Sequence, residues 1–367
     1  MNKKINVIDN VILLAVTVAA VLVSAIIGNG AYGNETGIIA VAGLYLAGAV
    51  VFGFVNALVH EWGHVIAGKK NGFEILSVTV WFFRWTRRNG KLRTDFVMMG
   101  EEAGATEMLP KSTENLSKRL KSATRGGIIA SLIMTVVSVA PLFLSSVLPG
   151  VAYYLLSVSF PVSAYYFFGS ALPMSSGGVL NDGAVVSGLK KGDDVSEVTV
   201  GLLKIHSELF NGKSPSEIDG SLYFDLPQLA EDEPNFIMLL NARYAYYIDK
   251  GDTENAKKVS DRLMGLLDYM PVAVKNVVKA DALYNACTFD FDEEEADNLM
   301  YELDKYLNNV NSVTNVRIKL AYLLYVRKEK ENAEVLYKKA MKEAKRCTVR
   351  GIGLYEEKLI EKMSSDL

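Results

Sequence analysis

His60-Glu61-Trp62-Gly63-His64 places two imidazoles four residues apart, with a carboxylate directly after the first. On an α-helix, residues i and i+4 share one face, so both rings can reach a single ion while Glu61 sits one step round. Zinc takes neutral nitrogen ligands and, in catalytic sites, keeps one position open for a water that becomes acidic enough to attack near neutral pH. Glu61 is the residue placed to take that proton and pass it to a leaving amine. The whole chain holds three histidines, and two of them fall in this window, which weighs against a chance match.

Long uncharged stretches surround this pentapeptide. A bilayer-spanning helix needs about 20 apolar residues, and residues 7–27, 38–68, 128–148 and 151–172 meet that length, the last two separated by Pro149-Gly150. The second run carries the histidines towards its end, and ionisable groups in a span are costly unless paired or coordinating. Lys3, Lys4, Lys69, Lys70, Arg84, Arg87, Arg88, Lys118, Arg119, Lys121, Arg125, Lys190 and Lys191 fall on one side of a four-span arrangement, against Glu35 as the lone charge on the other. That bias predicts a multi-pass protein of the cytoplasmic membrane with both termini in the cytoplasm. A basic start before an apolar run also suits a signal peptide, but the run is long for one and no small-x-small cleavage site follows it.

Between the second and third spans, residues 73–83 are β-branched and aromatic, and residues 91–98 form a matching partner across Asn89-Gly90. The pattern predicts a β-hairpin at the membrane surface, with Trp81, Phe82, Phe83 and Trp85 beside Arg84, Arg87 and Arg88 suiting the interface. Residues 112–123 read as a short surface helix feeding span three. A third metal ligand is still required. Asp182, after span four, returns to the side of His64, although Asn181-Asp182-Gly183 also reads as an ordinary turn. His206 is the rival.

With these residues in view, the chain resembles the site-2 protease family of intramembrane zinc metalloproteases, over roughly residues 38–190. The family carries HExxH in one span and an aspartate ligand, usually within Asp-Gly, near a later one; the matching residues are His60, Glu61, His64 and Asp182. The resemblance implies Zn2+ as cofactor, and as substrates single-span regulatory proteins, remnant signal peptides or peptide-pheromone precursors, held extended by the hairpin through edge pairing. This chain departs from the family at Ser170-Ala171-Leu172-Pro173, where an Asn before Leu-Pro is usual, and at Arg125 to Ser131, where a Gly-Pro-x-x-Asn pattern is common. Asn181 or Asn56 is then expected to take over a substrate-backbone contact. Gly177 and Gly178 read as a hinge or as plain loop flexibility.

Residues 193–367 are charged and amphipathic. Three stretches, 243–266, 280–303 and 320–344, each read as helix, polar turn and second helix opening on Ala256, Ala296 or Ala333. That period resembles degenerate tetratricopeptide repeats, whose concave faces bind peptides or proteins; a non-repeat helical bundle fits nearly as well. The expected fold is mainly α: a membrane helix bundle with a small surface hairpin over 1–192, then a soluble helical domain over 193–367. A net charge of -3 gives no basic stripe of the kind nucleic-acid binding needs. Cys287 and Cys347 stand apart and read as reduced thiols. Two readings compete with proteolysis: a membrane-anchored repeat adaptor with a vestigial metal site, which would have no need of Glu61, and a metal transporter, which would need more polar residues in the spans.

Overall fold

Four helical segments, Ile8–Gly30, Ile39–Lys70, Leu116–Leu144 and Gly150–Ala171, are long and apolar enough to cross a membrane in the computed structural model. The structure describes residues 7–32, 37–88, 91–97, 104–176, 179–309 and 312–367. Lys3, Lys4, Glu35, Asn89-Gly90, Met98, Gly177 and Gly178 therefore lie outside the described residues. The chain divides into two units, one holding most residues up to Ser196, the other Lys111–Thr113 and Glu197–Leu367.

In the first unit, α1 (Val7–Tyr32) and α2 (Ile38–Lys70) precede four strands: β1 (Phe73–Val80), β2 (Phe83–Arg88), β3 (Lys91–Phe96) and β4 (Gly104–Pro110). Helices α3 (Leu116–Val137), α4 (Gly150–Ser157), α5 (Ser159–Ala171) and α6 (Asp182–Lys191) follow. At about 1.5 Å per residue, α2 runs about 50 Å, well beyond a ~30 Å hydrocarbon core. It ends at Asn71, whose side chain donates to Ala67 O, and turns through Gly72 at φ +74°. Arg119 of α3 donates to the carbonyls of both Asn71 and Gly72 and lies over the Phe73 ring. The helix end, the first strand and the third helix are thereby fixed together.

Helices α2 and α3 cross at Gly63 and Gly126. A Cβ on Gly63 would lie 2.4 Å from Gly126 O, and one on Gly126 would lie 2.3 Å from Gly63 O, so the backbones touch. Small residues permit this close approach between apolar helices, where dispersion contacts replace any hydrophobic drive. The expected surface helix at 112–123 and the start of the expected third span at 128–148 are instead one helix, Leu116–Val137, which runs on through Gly126 and Gly127 and is followed by a 3-10 turn over Ala140–Leu144. The fourth segment is divided at Val158. Pro161 lacks the N–H that would bond the Ser157 carbonyl, and Ser24 Oγ, which donates to Ala20 O at 3.0 Å, lies 3.4 Å from that carbonyl.

The sheet has the order β3-β2-β1-β4, all antiparallel. Two strands were expected here, and among the described residues this sheet has four. The run over residues 73–83 does not continue as one strand, because Trp81 adopts φ +53° and reverses the chain, pairing Val80 with Phe83. Tertiary packing favours that turn: the Trp81 ring meets Phe54 of α2 edge-on at 5.6 Å and lies over Gly53. β2 and β3 do pair across residues 89–90, with Arg88 opposite Lys91.

The second unit contains helix pairs α9 (Pro234–Lys250) with α10 (Thr253–Gly265), α11 (Val272–Asn285) with α12 (Glu293–Asn309), and α13 (Val313–Ala321) with α14 (Lys330–Lys345), followed by α15 (Arg350–Lys362). Before these come α7 (Asp194–Phe210) and the short α8 (Ser221–Phe224). Each pair turns in the same way. A left-handed residue, Gly251, Phe291 or Lys328, precedes Asp252, Asp292 or Glu329. The carbonyl of that next residue accepts from the N–H of Ala256, Ala296 or Ala333. All three alanines are fully buried.

Arg317 and Glu356 form a 2.6 Å ion pair inside this unit. Asp281 of α11, partly buried, has its carboxyl pushed up to about 7; burial is the main cause, the Arg317 charge opposes it and Glu356 adds to it. A carboxyl that stays protonated in the folded state contributes stability in full below its unfolded value of about 3.9, and that contribution is lost as pH rises towards about 7. The stability of the helical unit against denaturant is therefore expected to fall from pH 4 to 7, by up to about 1.4 kcal/mol per pH unit. Asp281→Asn should flatten that dependence; an unchanged slope in the variant would assign it to another group.

Candidate metal centre

His60 and His64 leave α2 on one face, one turn apart, as a 3.6-residue period requires. Their Nε2 atoms are 3.2 Å from each other, and each is 3.1 Å from Asp182 Oδ2. Among the described residues these three form the group of His, Cys, Asp and Glu side chains that could hold a metal ion. His206 is on α7, where burial lowers the pKa of its imidazole, and it is not in that group.

Each ring nitrogen remote from the centre is held by α3. His64 Nδ1 faces Ala123 O at 3.3 Å, and a carbonyl only accepts, so the proton of the neutral ring sits on Nδ1 and the Nε2 lone pair points at Asp182. His60 Nδ1 lies 2.8 Å from Ser131 Oγ, itself buried. Partners of this kind set tautomer and ring orientation in metal-binding histidines. Gly127 makes room between them: a Cβ there would stand 2.3 Å from His64 Nε2 and 2.7 Å from His60 Nε2.

Asp182 opens α6, and Asn181 places it. The Asn181 amide donates to Gly169 O and Leu172 O and accepts from the N–H groups of Met174 and Ala184. Both of its donors and both of its lone pairs are thereby used inside the protein. The expectation that Asn181 contacts substrate is corrected on that ground: it ties the end of α5 to the start of α6. Asn56, also considered for such a contact, is buried within α2 and donates to Phe52 O.

The donor set fits a divalent ion. Asp182 Oδ2 is buried with the two imidazole Nε2 atoms 3.1 Å away, and with both of those nitrogens unprotonated the three atoms would repel one another unless a cation lay among them. Tetrahedral ligands with bonds of about 2.0–2.1 Å are separated by about 3.3 Å, close to the spacing here. Glu61 is next to this group, buried, with its carboxylate accepting from Thr106 Oγ1 at 2.6 Å. A cavity of about 460 Å3 opens beside these residues, walled by Leu13 of α1, Met108 of β4, and Tyr165 and Tyr166 of α5.

Sequence reading reached His60, Glu61, His64 and Asp182. It assigned no role to Ser131, Gly127, Gly104 or Thr106. The Gly126-Gly127 pair inside an apolar span was the available signal for close packing, whereas nothing in the pattern around Thr106 marks it. Comparison with protein-family models, with curated proteins and with solved structures finds no match for this chain.

Proposed function

We propose that this protein is an intramembrane zinc metalloendopeptidase of the site-2 protease type, cleaving peptide bonds in or near the transmembrane segments of membrane-protein substrates. The observation that carries this reading is the convergence of Asp182 of α6 with His60 and His64, which share with Glu61 a helix apolar and long enough to cross a membrane. A zinc ion held by the three side chains would polarise the scissile carbonyl and acidify a water. Glu61 accepts the proton of the attacking water and delivers it to the departing amine nitrogen. The cavity beside Glu61 has apolar and aromatic walls, which suit the side chains of a membrane-embedded peptide. The four-stranded sheet lies at the membrane surface in this reading, both termini are cytoplasmic, and the helix pairs of the second unit form a tetratricopeptide-like surface for a protein or peptide partner.

The test is metal analysis of the detergent-purified protein together with cleavage in cells. About one zinc per chain in the wild type, lost from Asp182→Ala and from His64→Ala, is expected, along with new membrane-protein termini in the wild type alone. Zinc retained by Asp182→Ala would point to a different third ligand. A zinc-loaded wild type that generates no new termini would favour the adaptor reading.

A further inference from the structure

Strand β4 approaches Glu61 at two points. Thr106 Oγ1 lies 2.6 Å from Glu61 Oε2 and 3.4 Å from the Glu61 main-chain carbonyl. Gly104, two residues earlier on the same face of the strand, packs against the carboxylate so closely that a Cβ would stand 2.5 Å from Oε1 and 2.8 Å from Cγ. The strand is itself held in register: Thr106 pairs with Val78 and Gly104 with the fully buried Val80 of β1. β1 follows α2 directly through the Asn71-Gly72 turn that Arg119 pins. The sheet that follows the helix carrying Glu61 therefore folds back, and its strand β4 grips that side chain.

We infer that Thr106 is a positioning residue that orients Glu61 as the general base, through its hydroxyl. The inference rests on the proteolytic reading above. A glutamate side chain has three rotatable bonds and reaches many positions unless held. A threonine hydroxyl has one proton to donate, so it satisfies one carboxylate oxygen and leaves the other able to take a proton from water. A hydrogen bond to a charged acceptor is among the stronger neutral-donor contacts. The backbone at Gly104 closes the volume into which the carboxylate would otherwise swing, and Thr106 fixes it from the neighbouring position. Because both contacts come from one strand, displacement of β4 would displace the base.

The experiment compares Thr106→Val, which keeps the shape and removes the hydroxyl, with Thr106→Ser, which keeps the hydroxyl. Both are reconstituted in liposomes with a single-span substrate that the wild type cleaves and Glu61→Gln does not. Thr106→Val is expected to lower kcat by about 10–100-fold, the scale of an angstrom-sized misplacement, with zinc content and KM unchanged, and Thr106→Ser to restore most of the rate. A second readout needs no turnover. In the metal-free protein, Thr106→Val should lower the unfolding midpoint by a few degrees when Glu61 is present and leave it unchanged in a Glu61→Ala background. Wild-type kcat in Thr106→Val, a change confined to KM, equal impairment of Thr106→Ser, or equal midpoint shifts in both backgrounds would each overturn the inference. A wild type with no cleavage that depends on Glu61 would overturn the proteolytic reading itself, and the role of Thr106 with it, whatever the variants do.

Discussion

Under the proposed proteolytic function, Glu61→Gln is expected to lower the cleavage rate by about 10²–10⁴-fold, the usual contribution of a general acid–base group, while leaving metal binding and the fold in place. Glutamine has the shape of glutamate, so it still fits against Gly104 and its amide oxygen still accepts from Thr106 Oγ1. What it cannot do is accept a proton. His60, His64 and Asp182 keep their mutual spacing because none of their contacts passes through the Glu61 carboxylate. The measurement is single-turnover cleavage of a membrane-reconstituted substrate beside metal analysis of the same preparation. Loss of activity together with loss of metal would mean that Glu61 is part of the metal site rather than the base.

The second large effect belongs to the helical unit. Arg317 and Glu356 are each about 1% exposed and pair at 2.6 Å. Glu356 also accepts from Thr314 at 2.6 Å, while the Arg317 guanidinium lies 4.0 Å above the Tyr284 ring. Removing one partner of a buried pair leaves the other charge without compensation, which costs about 3–5 kcal/mol. Against a domain stability of about 5–15 kcal/mol, Glu356→Ala should leave the unit only marginally folded. Hydrogen exchange of the peptides from α13 and α15 would show this as lost protection. Replacing both residues, Arg317→Met with Glu356→Leu, removes both charges and should recover most of the loss. A double variant as unstable as Glu356→Ala would mean that shape and hydrogen bonding at the site, rather than the orphaned charge, set the cost.

The contrast between legible and illegible residues follows from sequence distance. His60 and His64 are joined by one helical turn, so a fixed spacing and an apolar context are enough to place both rings on one side. The four long apolar segments were legible for a similar reason, since bilayer thickness sets a length that a linear count detects. The repeated turns of the helical unit showed in the spacing of Ala256, Ala296 and Ala333, because each alanine is held by bonds to residues just before it. The strand break at Trp81 was not legible: β-branched and aromatic residues continue through it, and only packing against Phe54 and Gly53 makes the reversal favourable.

By itself the sequence determined the HExxH face, the apolar helices that carry it and the helix-pair rhythm of the second half, all governed by local geometry. It left Asp182 as one reading of an ordinary turn, strengthened by the topology that returns it to the side of His64 and by resemblance. Tertiary structure decided which aspartate oxygen meets both imidazoles, that Asn181 serves α6 rather than a substrate, and that Ser131 and Ala123 orient the rings. It also decided that β4 lies on Glu61. The contacts of Ser131 and Ala123 with the rings and of Thr106 with Glu61 join residues 45 to 71 positions apart, and Asp182 meets imidazoles 118 and 122 positions before it. They exist because glycine backbones at Gly63 and Gly126 let α2 and α3 touch and because one turn at Trp81 adds a strand pair, outcomes of packing that no local periodicity records.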